Sequence, residues 1–299
     1  MSFAKSSLVA AAMLGLASMA SADIGDASYA QVSTIQLNFP AADLTPVPIP
    51  AEWLDIQGVL NVTFGDVAVS NIGDMLTVAQ VQSAPTFRIS AQTDSADDRD
   101  TFDDDRLFTI AFFDAGVAGK NTSTEVFNHY LGNNFTIDDD GNLRNQTAAR
   151  VAYGAPLPAT DDGPHRYMQL VFQQFANFTP PATPAAGASI SNLALQEYYR
   201  NANGGLGKIV AANYIQIEVG SAAAPSSTAP VSQASVTALA ASKSAAQSSG
   251  TRSGSAAAGT SSGGSSSGTN AAFNANLASL PVVGFVAMSA AALLAVAML

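Results

Sequence analysis

Cysteine is absent from all 299 residues. That excludes disulfides, thiolate nucleophiles and cysteine-based metal sites, so the fold must be held by its core alone. Histidine is nearly absent: His129 and His165 are its two copies. Acidic residues stop at Glu218, although 80 residues follow position 219. Positive charge is scarce too. Between residues 23 and 219 there are 23 acids against nine bases, because Lys5, Lys243 and Arg252 lie outside that stretch. A field of −14 repels nucleic acid and anionic membrane. No Gly-x-Ser-x-Gly elbow occurs in that stretch, so a serine nucleophile has no candidate there.

The two ends are apolar in different ways. Lys5, the apolar run Leu8–Met19 and the small residues Ala20-Ser21-Ala22 have the pattern of a secretory signal peptide over 1–22. Leu280–Leu299 carries no charge and follows a small-residue spacer, the pattern of a glycosylphosphatidylinositol attachment signal over 271–299. Asn270, before Ala271 and Ala272, is the expected attachment residue, with Gly268 and Asn274 as alternatives. Residues 220–270 form a stalk by composition. Forty of the fifty residues from Ser221 on are Ser, Ala, Thr or Gly, and none is aromatic. The expected location is therefore the extracellular face of the cell, in plasma membrane or wall, with membrane contact through lipid alone.

Residues 23–219 remain as one domain. Short β-branched and aromatic runs mark strands: 58–64, 75–81, 107–113, 129–135, 166–174 and 208–219. Within "YMQLVF", Met168, Leu170 and Phe172 should face one way, with Tyr167, Gln169 and Val171 facing the other. One helix is expected near 191–202, stopped by Gly204-Gly205. The sum is a mainly β antiparallel sandwich. "DSADDRDTFDDD" (94–105) reads as a solvated acidic loop. "DDDGN" (138–142) opens like a calcium loop, but Leu143 and Ala149 stand where that loop needs Gly and Glu, so a turn at Asp140-Gly141 is the better reading. Sequons at Asn61, Asn121, Asn145 and Asn177 are candidate glycan sites, and a fifth begins at Asn134.

Chemistry concentrates where strands end. Asp114 closes "LFTIAFFD", His129 opens "HYLGNNF", and His165 and Tyr167 open "HRYMQLVF" behind a Gly/Pro-rich loop. Two imidazoles and a phenol around one point would donate hydrogen bonds to an anion. The alternative is that each histidine satisfies a local backbone group. A His-His-Asp metal set is a third possibility.

In their order, "FTIAFFDAGVAGK", "HYLGNNF", "YGAPLP" and "GPHRYMQLVFQQ" resemble the phosphatidylethanolamine-binding protein family, which includes the Raf kinase inhibitor proteins. "LNVTFG", "VQSAPTF" and "GGLGKIVAANYIQIEV" look like its secreted fungal members, and the resemblance runs over 42–219. It implies a large antiparallel sheet packed on a smaller one, with a few peripheral helices. It also implies a non-catalytic pocket for a small phosphate-like anion or phospholipid head group, without a cofactor or metal. The matching pocket positions are Asp114, Phe127, His129, Gly154, Pro156, His165 and Tyr167, with Arg166 as a structural residue paired to an acid beneath. By the same resemblance Asn134 falls inside a strand, which argues against use of its sequon. The chain departs from the family pattern: "DAGVAGK" lacks the second aspartate, where Gly116 stands, and both prolines, and Tyr130 replaces a tryptophan. Some relatives inhibit proteases, so a secreted protease inhibitor, or a wall glycoprotein with a vestigial pocket, is the alternative.

Overall fold

A computed structural model describes residues 27–92, 101–120, 125–221 and 231–250. The signal segment, Asn121 and Asn270 with the tail all lie outside the described residues, as does most of the acidic run at 94–105.

Ser28 caps a first helix, α1 (Tyr29–Ala41). Its hydroxyl and the Gln31 side chain close a reciprocal capping box, and Pro40 sits in the last turn. The strands follow: β1 (Leu54–Phe64), β2 (Val67–Ala68), β3 (Met75–Leu76), β4 (Pro85–Ala91), β5 (Leu107–Val117), β6 (Glu125–Ile137), β7 (Leu143–Asn145), β8 (His165–Gln174) and β9 (Ser191–Ala194). Next come a short helix α2 (Leu195–Asn201), the long β10 (Leu206–Ile217) and a helix α3 (Gln233–Gly250).

Among the described residues, ten strands share one hydrogen-bonded sheet. Its path runs β2-β1-β10-β8-β5-β6-β7, with β3 on β10, β4 on β1 and β9 on β6. The sheet is mixed, because β10 runs parallel to β1 and to β3. The expected pair of purely antiparallel sheets is thus one curled mixed sheet with a few helices. Strand partners and directions depend on non-local pairing, which alternation of residue types does not encode. The 75–81 run also differs. Only Met75–Leu76 pairs, and Val78–Val81 turns as a 3-10 helix behind a Thr77 cap.

The alternation read in β8 holds. Met168, Leu170 and Phe172 enter a core with Ile35, Phe39, Trp53 and Tyr214, whereas Tyr167 and Val171 enter a second core with Phe64, Phe87, Phe112 and Phe135. β8 is buried on both faces because a layer covers each side of the sheet's middle. Asp138–Asn142 forms the β6–β7 turn, with Gly141 at φ 83° and its N–H on the Asp138 carbonyl at 2.8 Å.

Part of the stretch read as an unstructured stalk is the helix α3. It buries Val236, half-buries Leu239, Ala240 and Lys243 along one stripe, and packs on α1. Ser232 accepts the Ser235 N–H at its start, and the Lys243 ammonium donates to the Ile56 carbonyl at 3.2 Å. Alanine is the strongest helix former, and in a composition dominated by small residues a sparse apolar stripe is easily overlooked.

Candidate functional site

Two irregularities in the sheet aim the site. Along β5 and β6, Phe112 pairs with Tyr130 and the next residue, Phe113, pairs with Asn128. His129 is therefore the extra residue of a bulge. Along β5 and β8, Asp114 pairs with Tyr167 and Val117 with His165, so β5 carries one residue more than its partner. Gly116, at φ 71°, supplies the left-handed backbone this second bulge needs. Its N–H donates to Asp114 Oδ1 at 2.6 Å. The glycine standing at the family's second aspartate is thus the residue that shapes the turn.

These bulges bring the predicted residues together. His165 Nδ1 lies 2.8 Å from Asp114 Oδ2. The Tyr167 ring lies 6.2 Å from the His165 ring and 5.3 Å from the His129 ring, so the tyrosine stands between the two imidazoles. Phe127, partly exposed, flanks His129 at 5.3 Å. His129 Nδ1 donates to the Gly154 carbonyl at 2.8 Å, and the Gly154 N–H returns a bond to the His129 carbonyl at 2.9 Å. A side chain at Gly154 would run into Ile190. Pro156 is buried two residues further along the same loop.

Sequence reading missed three members. Asp162 Oδ2 contacts the other His165 nitrogen, Nε2, at 2.9 Å, and its Oδ1 pairs with the Lys120 ammonium at 2.8 Å. Tyr153 stacks on Phe112 with ring planes 5° apart. Asp162 is three residues before His165, close enough to be suspected. Lys120 and Tyr153 are brought in by the tertiary fold. Arg166 needs a correction in its partner. The guanidinium, almost fully buried, donates to the carbonyls of Gly116 (3.0 Å), Ala115 (3.0 Å), Ala42 and Asp43 (2.8 Å). The acid beneath it, Asp43, is more distant at 3.8 Å. Arg166 is mainly a carbonyl binder that ties β8 to the β5 bulge and to the turn after α1.

The two histidines titrate in opposite directions. Burial lowers the His129 pKa and the His165 charge adds to that, outweighing the Gly154 hydrogen bond and Asp114. Burial also works against His165, but the Asp114 and Asp162 hydrogen bonds and charges overcome it, and its pKa is raised. Burial, then Asp114, keeps the Tyr167 hydroxyl protonated. Asp162 is held below the usual carboxylate range by Lys120 and then His165. The arrangement is one imidazole held between two acids, which favour its protonated form, beside a second imidazole whose burial favours the neutral form and a neutral phenol. Among the described residues no group of three His, Asp or Glu side chains is disposed to hold a metal ion.

The sequons fall in differing surroundings. Asn145 and Asn177 are exposed. Asn61 is half-buried in the middle of β1, its amide donating to Ser90 Oγ at 3.0 Å. Asn134 lies within β6 at φ 58°, with its amide 3.4 Å from Thr147 Oγ1.

A mainly β domain with its polar cluster at adjoining strand bulges narrows the class, and the family follows from direct comparison. Residues 58–215, more than half the chain, match the family model described as phosphatidylethanolamine-binding protein. The chain belongs to that family. Among solved structures it is similar to a carboxypeptidase Y inhibitor complexed with its cognate proteinase, at 19% identity over 63% of this chain and 96% of that one, with a TM-score of 0.47. It is also similar to the phosphatidylethanolamine-binding proteins of Plasmodium falciparum and Plasmodium vivax. Those are 15% and 14% identical, over 61% and 65% of this chain and 96% and 99% of theirs, with TM-scores of 0.42 and 0.40.

Proposed function

We propose that the protein is a non-catalytic binding domain, displayed outside the cell on a lipid anchor, that takes a small phosphate-like anion or phospholipid head group at the His129–His165 site. The observation that carries this reading is the convergence of His165, Tyr167 and His129 beside Asp114, each histidine with one nitrogen fixed from within. Asp114 holds His165 Nδ1 from the inner side and favours the protonated ring, while Nε2 is directed toward the more exposed side, where the Asp162 carboxylate meets it. His129, with Nδ1 committed to Gly154, offers Nε2 as a donor once it is protonated. A neutral tyrosine between them gives no nucleophile, and the domain's acidity disfavours nucleic acid. The uncharged tail and small-residue spacer support the anchor.

Calorimetric titration with phosphoethanolamine, at pH 6 and pH 9, tests the reading. Binding should weaken as pH rises through the raised His165 pKa, because the ring loses its charge. His165→Ala should lose about 1.5–3 kcal/mol of affinity, the worth of a charge-assisted hydrogen bond, and should flatten that dependence. Equal binding by His165→Ala, or absence of binding at both pH values by the wild-type protein and by Asp162→Ala alike, would reject the anion site.

A further inference from the structure

We infer that Asp162 is an internal anion seated on the His165 nitrogen that an incoming phosphate would use, so that the site is closed by its own loop. The inference rests on the anion reading above. His165 meets carboxylates on both sides, but the two are differently placed. Asp114, on β5, has a side chain only 12% exposed and belongs to the sheet. Asp162 is 42% exposed and reaches His165 Nε2 from the solvent side. A carboxylate oxygen at 2.9 Å from an imidazole nitrogen occupies the position of a phosphate oxygen making the same charge-assisted bond.

The loop bearing Asp162 is built as a clasp. Asp161 and Gly163, on either side of it, both have left-handed backbones, at φ 60° and 111°. Lys120 grips the Asp162 carboxylate at 2.8 Å and also its carbonyl. The same loop is tied to the segment by which the chain leaves β10. Thr160 bridges Val219, the Asp161 N–H donates to the Val219 carbonyl at 2.8 Å, and the Ser221 N–H donates to Asp161 Oδ1 at 2.8 Å. Gly220, at φ 86°, has no room for a side chain against Asp161.

The charges around His165 make the clasp self-sufficient. Asp114 and Tyr167 face the ring from β5 and β8, His129 from β6, and Asp162 from the loop, with Lys120 behind Asp162. With Asp162 seated and His165 protonated, two acids meet two bases and the cluster is neutral. With it displaced, one positive charge is left over, at the imidazolium and the freed ammonium. An anion therefore binds only the unclasped fraction of molecules, and its apparent dissociation constant is the intrinsic one divided by that fraction. Such competition penalises every anion by the same factor. Repulsion at a distance would act differently, since a dianion would suffer twice the penalty in free energy of a monoanion.

That difference is the test. The full-length protein and Asp162→Ala are titrated calorimetrically at pH 7.5 with methyl phosphate, mostly a dianion, and dimethyl phosphate, a monoanion. In parallel, the His165 ring is titrated by NMR in both proteins. Asp162→Ala should bind both anions ten-fold or more tightly, and by the same factor, while the His165 pKa falls for want of one carboxylate. Unchanged affinity for both anions would overturn the clasp and leave the anion site standing. A gain for methyl phosphate near the square of that for dimethyl phosphate would replace the clasp with simple repulsion. Failure of both proteins to bind either anion, with the His165 pKa still falling in Asp162→Ala, would reject the anion site and the clasp with it.

Discussion

His165 and His129 are the same residue type in one cluster, yet their surroundings set them to opposite tasks. The folded state raises the His165 pKa, so this residue's contribution to stability is fully present below the unfolded value of about 6.5 and is lost as pH rises through the higher folded value. The folded state lowers the His129 pKa. Its contribution is present above about 6.5 and is lost as pH falls toward the folded value, because the unfolded chain then takes up a proton that the folded chain resists. Urea unfolding from pH 5 to 9 should accordingly show His165→Ala removing the loss on the alkaline side and His129→Ala removing the loss on the acid side. A profile that neither variant alters would sink this assignment. Arg166 gives a larger effect. Its guanidinium supplies four carbonyl bonds in a buried place, so Arg166→Met should destabilise by about 3–5 kcal/mol, as when a buried charged network loses its centre. Arg166→Lys should recover only part of that, since one ammonium cannot span the same fork.

At the scale of elements, two bulges matter more than any helix. Regular pairing would leave β5 and β6 in a single register, and His129 would take its place in the pleat rather than turn toward Tyr167 and Gly154. Gly116 sets the other bulge. Gly116→Ala should cost about 1–2 kcal/mol, because an L side chain at φ 71° meets the penalty of the left-handed region. It should also bring the His165 pKa back toward 6.5 as Asp114 shifts away, which NMR titration can follow. A stability loss with no change in the ring's titration would show that the bulge does not position Asp114. Gly205, between α2 and β10, is tight for a different reason. A methyl there would fall 2.5 Å from the Phe178 backbone, which cannot turn aside, so Gly205→Ala should destabilise by about 1–3 kcal/mol.

For the whole molecule, the boundary of the folded part falls later than the loss of acidic residues suggests. Negative charge ends at Glu218, but α3 returns to α1 and covers Val236. A chain ending at Gly220 should still unfold as one cooperative unit, because both cores are complete before that point. A chain ending at Gly250 should be more stable by about 1.5–3 kcal/mol, the worth of one buried valine. Val236→Asp should abolish that difference, and if it does not, α3 contributes nothing by docking. Beyond the helix, the proposed anchor predicts that phosphatidylinositol-specific phospholipase releases the protein from membranes. Intact protein retaining Leu280–Leu299, seen by mass spectrometry, would refute it.

Chemistry carried by residue type and short spacing was legible in the chain itself. The alternation of Met168, Leu170 and Phe172 against Tyr167 and Val171 determined two buried faces, because side chains in a strand must alternate. The scarcity of histidine drew His129 and His165 into one hypothesis, and the order of motifs around them pointed to the family that residues 58–215 match. α1 was legible in principle, since Ser28 and Gln31 stand at capping-box spacing, but β4 and the parallel edge of β10 were not. Strand partners are chosen by long-range burial and hydrogen bonding, which leave no local mark on residue order. The same holds for the site. That His165 exists, and that Asp114 could reach it, followed from strand ends. That Asp162 and Lys120 close over it, that Arg166 spends its charge on carbonyls, and that one histidine rises while the other falls were decided only by tertiary structure. Burial and the approach of charges through space set those properties, and neither is a function of distance along the chain.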